Sequence, residues 1–193
     1  MFFIAKAMLG KMPKNLLSHS KRVSVLGYIL SKQVGLTTKE CNNIALGGLL
    51  HDVGKCSVKP SILNKKDTLT QEEFNEIKLH CTYGVNIIQN IKNDSPILPI
   101  IQYHHERWDG LGYFGLKNSE IPLAARIISI VDAFDAMTSY RPYQAKREEE
   151  DALMELIRCA NSQFDPDLVK EFNSIYPSLS SHLTDYNKFI EHI

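Results

Sequence analysis

His51-Asp52 stands between the apolar run Ile44 to Leu50 and the pair Gly54-Lys55. Histidine and aspartate both ligate borderline and hard divalent ions, and core packing does not need the two side by side. The apolar approach would bury them, and buried charged groups persist only when paired or bound to metal. Taken alone, the pair fits equally well a hydrogen-bonded cap at a helix C-terminus, where His and Lys sit favourably against the dipole.

Other candidate ligands lie elsewhere in the chain. His19, His80 and the pair His104-His105 fall on three further helical segments, and Asp132 interrupts the apolar run Ile127 to Phe134. A lone helix histidine is more often an ordinary packed residue than a ligand. Asp132 has Arg126 and Arg141 as alternative partners. Five histidines from four helices with two aspartates set in apolar runs are better explained together, because helical bundles build metal sites from inward ligands on facing helices. The ligand number exceeds one tetrahedral site, so two ions bridged by a carboxylate are expected. Mixed imidazole and carboxylate donors without cysteine favour iron, manganese or zinc.

The elements that must position these side chains read as helices nearly throughout. Leu16, Leu17, Val23, Leu26, Ile29 and Leu30 recur at helical spacing, and Gly35 closes that helix. Thr37 to Glu40 is a capping box opening a helix that runs into His51, and Thr70 to Glu73 opens another expected to continue unbroken through His80 to Ile88. Pro60 to Lys66 reads as a connector, and Ile100 to His105 as a helix. Trp108 to Tyr113, with two glycines, reads as a loop. Helices are expected from Pro122 to Met137, from Arg147 to Cys159, and after the Asp165-Pro166 cap. The expected architecture is one all-α domain over 1–193, a helix bundle with the metal site in its core. Residues 1–14 would be an N-terminal helix or extension and 178–193 a polar tail.

The 193 residues are 44% hydrophobic and 23% charged, an ordinary globular composition. The formal net charge is zero, so no field marks the chain for DNA, RNA or an anionic membrane. No apolar run approaches bilayer-spanning length. The four cysteines are scattered, as expected of reduced thiols in a cytoplasmic protein.

His51-Asp52 with Gly54-Lys55, His104-His105-Glu106-Arg107-Trp108-Asp109-Gly110-Leu111-Gly112-Tyr113, and Asp132-Ala133-Phe134-Asp135-Ala136-Met137-Thr138 together resemble the HD-GYP branch of the HD phosphohydrolase superfamily. The likeness runs from about His19 to Phe172 and includes Phe164-Asp165-Pro166. It implies an HD-type helical domain, expected to act without the family's usual sensory or receiver domain. It also implies a bacterial signalling enzyme that hydrolyses cyclic di-GMP with water activated by two divalent ions.

Carried across residue by residue, the resemblance makes His51, Asp52, His80, His104, His105 and Asp132 the metal ligands, with Asp52 bridging. His19 matches a further ligand used by members with an extra metal. Those members have a glutamate where this chain has Asn15, which argues against a third ion. Iron or manganese is the expected metal, with zinc, magnesium, nickel or cobalt as other fits. Lys55 and Arg141 match residues that contact the substrate phosphates; Trp108 and Tyr113 are candidates to stack on a guanine base, with loop packing as the alternative.

Two departures fall on the ligand side. The naming motif ends Gly-Tyr-Pro in the family and Gly112-Tyr113-Phe114 here, removing the fixed φ of proline. Gln144 stands where the family often carries a basic residue for the ligand's phosphates. The hydrolytic centre looks complete while substrate preference is open. The alternatives are an HD phosphohydrolase acting on another cyclic dinucleotide, and a weakly catalytic signalling or docking module. The expected protein partners are a second copy in a homodimer or a separate regulatory protein.

Overall fold

The computed structural model describes residues 10, 12–139 and 147–178. Arg141, Gln144, most of the expected N-terminal extension, and residues 179–193 of the expected tail lie outside them.

Among the described residues nine α-helices follow one another, and there is no strand beyond an isolated Ala160–Phe164 bridge. They are α1 (Lys14–Gln33), α2 (Thr38–Leu50), α3 (Pro60–Leu63), α4 (Gln71–Lys78), α5 (His80–Gln89), α6 (Leu98–Tyr103), α7 (Leu123–Thr138), α8 (Glu149–Arg158) and α9 (Pro166–Ile175). A 3-10 turn, Val53–Ser57, carries the chain out of α2.

Local signals account for most boundaries. Both capping boxes form: Thr37 Oγ1 accepts the Glu40 amide at 3.4 Å, and Thr70 Oγ1 accepts the Glu73 amide at 3.2 Å. Asp165 caps α9 through the amides of Asp167 and Leu168. Two expectations need correction. The helix expected from Thr70 to Ile88 is interrupted at Leu79, so His80 begins a new helix rather than sitting mid-helix. The Pro60 connector contains a helical turn, started by Pro60 at its N1 position.

The core lies where α1, α2, α6 and α7 face one another, with α8 and α9 closing one side. Val23, Leu30, Ile100, Ile101, Ile127, Ile128, Ile130 and Val131 are almost completely buried there. Phe134 packs edge-on against Phe172, with ring centroids 5.1 Å apart, joining α7 to α9. Burying each such side chain is worth roughly 1.5–3 kcal/mol, so α1, α2 and α7 are held firmly. These three helices carry His19, His51 and Asp132, so their packing fixes where those side chains can point.

Candidate metal centre

Three candidate histidines sit at helix ends, and the ends explain their orientation. The last turn of a helix has carbonyls without intrahelical partners. His51, the C-cap of α2, donates Nδ1–H to the Gly48 carbonyl at 2.7 Å. His80, just past the end of α4, donates to Ile77 at 2.7 Å. His104, the C-cap of α6, donates to Ile101 at 3.0 Å. Each bond uses Nδ1 and leaves the Nε2 lone pair facing inward, the tautomer a metal requires.

The inward atoms converge on Asp52. Its Oδ1 lies 3.3 Å from His80 Nε2 and 3.9 Å from His104 Nε2. Its Oδ2 lies 3.4 Å from His51 Nε2 and 4.0 Å from His19 Nε2. Asp132 Oδ1 is 3.0 Å from His19 Nε2 and 3.8 Å from His51 Nε2. Two groups of donor atoms have spacing suited to a metal ion: Asp52, His80, His104 and His105; and His19, His51 and Asp52. They share Asp52. All seven candidate ligands from the sequence are therefore gathered at one place.

The donor set fits metal rather than internal pairing. Asp52 Oδ1 and His51 Nε2 are buried with no hydrogen-bond partner, although each lies amid polar groups. Such orphaned atoms cost about 1–3 kcal/mol each unless something satisfies them, and a shared cation would satisfy both. His80 and His104 approach nitrogen to nitrogen at 3.3 Å, a contact that two lone pairs tolerate only around a cation or a proton.

Protonation states follow from the surroundings. Burial, the largest influence, and neighbouring histidines hold His104 well below the ordinary imidazole range. Burial likewise lowers His80, and it brings His105 down to about 4. His19 differs: burial opposes its charge, yet hydrogen bonds to Asp132 and Asp135 raise it to about 9. Asp52 is held well below the carboxylate range, since Lys55 and His51 outweigh its burial. Burial raises the Cys81 thiol to about 12, so it stays protonated beside His80 and adds no thiolate.

Lys55 Nζ lies 2.5 Å from Asp52 Oδ2, and 24% of its side chain is exposed. It therefore pairs with the central carboxylate while facing outward. Tyr113 tilts over His105, with ring centroids 4.7 Å apart, and so borders the histidine cluster.

Two buried carboxylates were not foreseen as site residues. Asp135 accepts from His19 at 2.7 Å and pairs with Arg22 through Nε at 2.5 Å. It fixes the His19 ring as backbone carbonyls fix those of His51, His80 and His104. Its signal was its place one helical turn beyond Asp132. The adjacent Arg107 is the obvious cation for Glu106. Instead Oε1 accepts the Phe114 amide at 2.7 Å and Oε2 the Leu116 amide at 2.6 Å, while Arg107 pairs with Asp109. Arg126 pairs with Asp165 at 2.6 Å rather than with Asp132, and it lies over the Trp108 ring. Trp108 is thus packed by an arginine. Asp109 holds the loop by accepting the Leu111 amide.

The sequence profile of the HD domain matches residues 4–168. The chain belongs to the HD domain family. It is 38% identical over 159 residues to a cyclic di-GMP phosphodiesterase of Thermotoga maritima, covering 80% of this chain and 43% of that protein. It is 35% identical over 156 residues to 3'3'-cGAMP-specific phosphodiesterase 2 of Vibrio cholerae, covering 79% of this chain and 30% of that protein. The chain thus spans less than half the length of these relatives. An HDGYP protein from Bdellovibrio bacteriovorus superposes with a TM-score of 0.69 at 24% identity, over 84% of this chain and 52% of that one, which supports the fold. This HD-domain chain carries the histidine and aspartate cluster that the family's divalent-metal chemistry calls for. No described helix is long and apolar enough to cross a membrane.

Proposed function

We propose that this HD-domain chain is a phosphodiesterase for cyclic dinucleotides, with cyclic di-GMP as first substrate. Two divalent ions, iron or manganese, would be shared through Asp52. The observation that carries this is the pair of metal-capable groups with Asp52 in common. His80, His104 and His105 would hold one ion and His51, His19 and Asp132 the other, with Asp52 between. Two ions so placed would supply a water acidic enough to react near neutral pH and would bind phosphate oxygens.

The chain's own residues supply the remainder. Backbone carbonyls and Asp135 hold the His19, His51, His80 and His104 rings so that these four need not rotate when the ions bind. Lys55, at the outer side of Asp52, offsets charge on the scissile phosphate. Tyr113, its phenol raised to about 12 mainly by burial, remains a hydrogen-bond donor beside His105. Arg141 and Gln144 remain candidate phosphate contacts by sequence alone. The same proposal takes the chain as one domain.

The relatives include proteins named for cyclic di-GMP and for 3'3'-cGAMP, so the base preference needs a direct comparison. Manganese- or iron-loaded protein should hydrolyse at least one of the two, and His51→Ala should abolish turnover and lower the bound metal. Equal behaviour of His51→Ala and wild type in both measurements would overturn the proposal.

A further inference from the structure

Helix α4 is short and buries none of its residues, yet it carries Phe74, whose surface is 39% exposed. Core packing therefore does not explain that ring. The helix is nonetheless fixed in place. Its start is closed by the Thr70 capping box, and Lys65 pairs with Glu73 at 2.6 Å. Phe74 and Lys78 lie one turn apart on it, so they share a face. That face meets Tyr113: the Phe74 and Tyr113 rings stand edge-on with centroids 6.4 Å apart. Lys78 Nζ lies 4.9 Å from the Phe74 centroid and 5.1 Å from that of Tyr113. No carboxylate lies within ion-pair distance of Lys78 among the described residues.

These rings continue outward from the histidine cluster. Tyr113 rests on His105 on one side and meets Phe74 and Lys78 on the other. A cyclic dinucleotide has two bases and two phosphodiesters in one ring. With one phosphodiester at Asp52, a base and the second phosphate must lie to the side. An exposed aromatic face stacks any purine, and an ammonium without a carboxylate partner binds phosphate as a point charge. The Phe74 ring supplies the first and Lys78 the second.

We infer that Phe74, Lys78 and Tyr113 form a nucleotide subsite that takes a purine base on Phe74 and the uncut phosphate on Lys78. It rests on the phosphodiesterase proposal for its substrate. The Tyr113 edge of the subsite is held by Glu106 through the amide that follows it, so the platform is preorganised.

The test compares wild type, Phe74→Leu, Lys78→Gln and Lys78→Arg as full chains loaded with manganese. Metal content, kcat and KM are measured with cyclic di-GMP, and Kd with its non-hydrolysable phosphorothioate. Phe74→Leu and Lys78→Gln should each raise KM and Kd about ten-fold at equal metal content, with kcat changed less than about two-fold. Lys78→Arg, which keeps the charge, should restore most of the affinity. Kd values equal to wild type in both Phe74→Leu and Lys78→Gln would overturn the subsite. Wild type that binds the phosphorothioate but cleaves no cyclic dinucleotide would overturn the phosphodiesterase proposal alone, because the Kd series still reads the subsite.

Discussion

Glu106→Gln is a sensitive test of how the mouth of the site is built. Glu106 is only 3% exposed, and its two oxygens each accept one loop amide, from Phe114 and from Leu116. Glutamine keeps one acceptor oxygen and turns an NH2 towards the other amide, so a donor faces a donor. One hydrogen bond to a charged acceptor disappears, a loss of about 1.5–3 kcal/mol. The other elements do not depend on that bond, so the loss should appear as local opening of residues 112–116. At 1.4 kcal/mol per factor of ten, hydrogen exchange at the Phe114 or Leu116 amide should accelerate about ten- to hundred-fold. Tyr113 lies beside the freed amide, so KM for a cyclic dinucleotide should rise while bound metal stays constant. Exchange mass spectrometry on the metal-loaded protein reads the first effect and steady-state kinetics the second. Unchanged protection at both amides would refute the clamp.

Three further outcomes are expected. Gly54→Ala should lower thermal stability and metal content together. An ideal Cβ there would lie 1.9 Å from the His80 carbonyl oxygen and 2.5 Å from the Gly84 amide nitrogen, forcing the turn after Asp52 away from α5 at about 1–3 kcal/mol or more; normal metal content with an unchanged melting temperature would contradict this. Metal binding near pH 7.5 should release a proton from His19, read by calorimetry in buffers of different ionisation enthalpy, and His19→Ala should lower the total release by about one proton. His19 is the group concerned because its raised value of about 9 keeps it protonated in the metal-free protein, whereas the lowered His105, at about 4, has no proton to lose. The same sign means that the His19 contribution to metal-free stability is complete below about pH 6.5 and fades as pH rises through about 9. Asp135→Asn should cost about 10–100-fold in metal affinity at the group containing His19, since it weakens the partner that orients that ring; an unchanged affinity would show that the ring needs no such support.

The helix-cap and metal explanations of His51-Asp52 are not alternatives, and this shows why the site was legible from sequence only up to a point. His51 does cap α2, giving Nδ1–H to Gly48, and by doing so it aims Nε2 at Asp52. His104 does the same at the end of α6. A histidine at a helix end satisfies an orphan carbonyl and turns its other ring nitrogen inward, which is why the candidate set could be picked out by residue type and helix position. What could not be picked out depends on where the chain returns through space. His80 was expected inside a continuous helix, because Leu79 carries no Gly or Pro to mark the break between α4 and α5. Glu106 sits next to the ligand pair and opposite a loop whose amides reach it only after the turn at Gly112, where an ideal Cβ would come within 2.6 Å of the Glu106 Cα. Asp135 reaches His19 across 116 residues of sequence. Ligands announce themselves by their chemistry, whereas the groups that hold them still are ordinary carboxylates and carbonyls, identified only by their distance from a ring. The more demanding test of this centre is therefore on the holders: a variant such as Asp135→Asn, which leaves every ligand in place, should still weaken it.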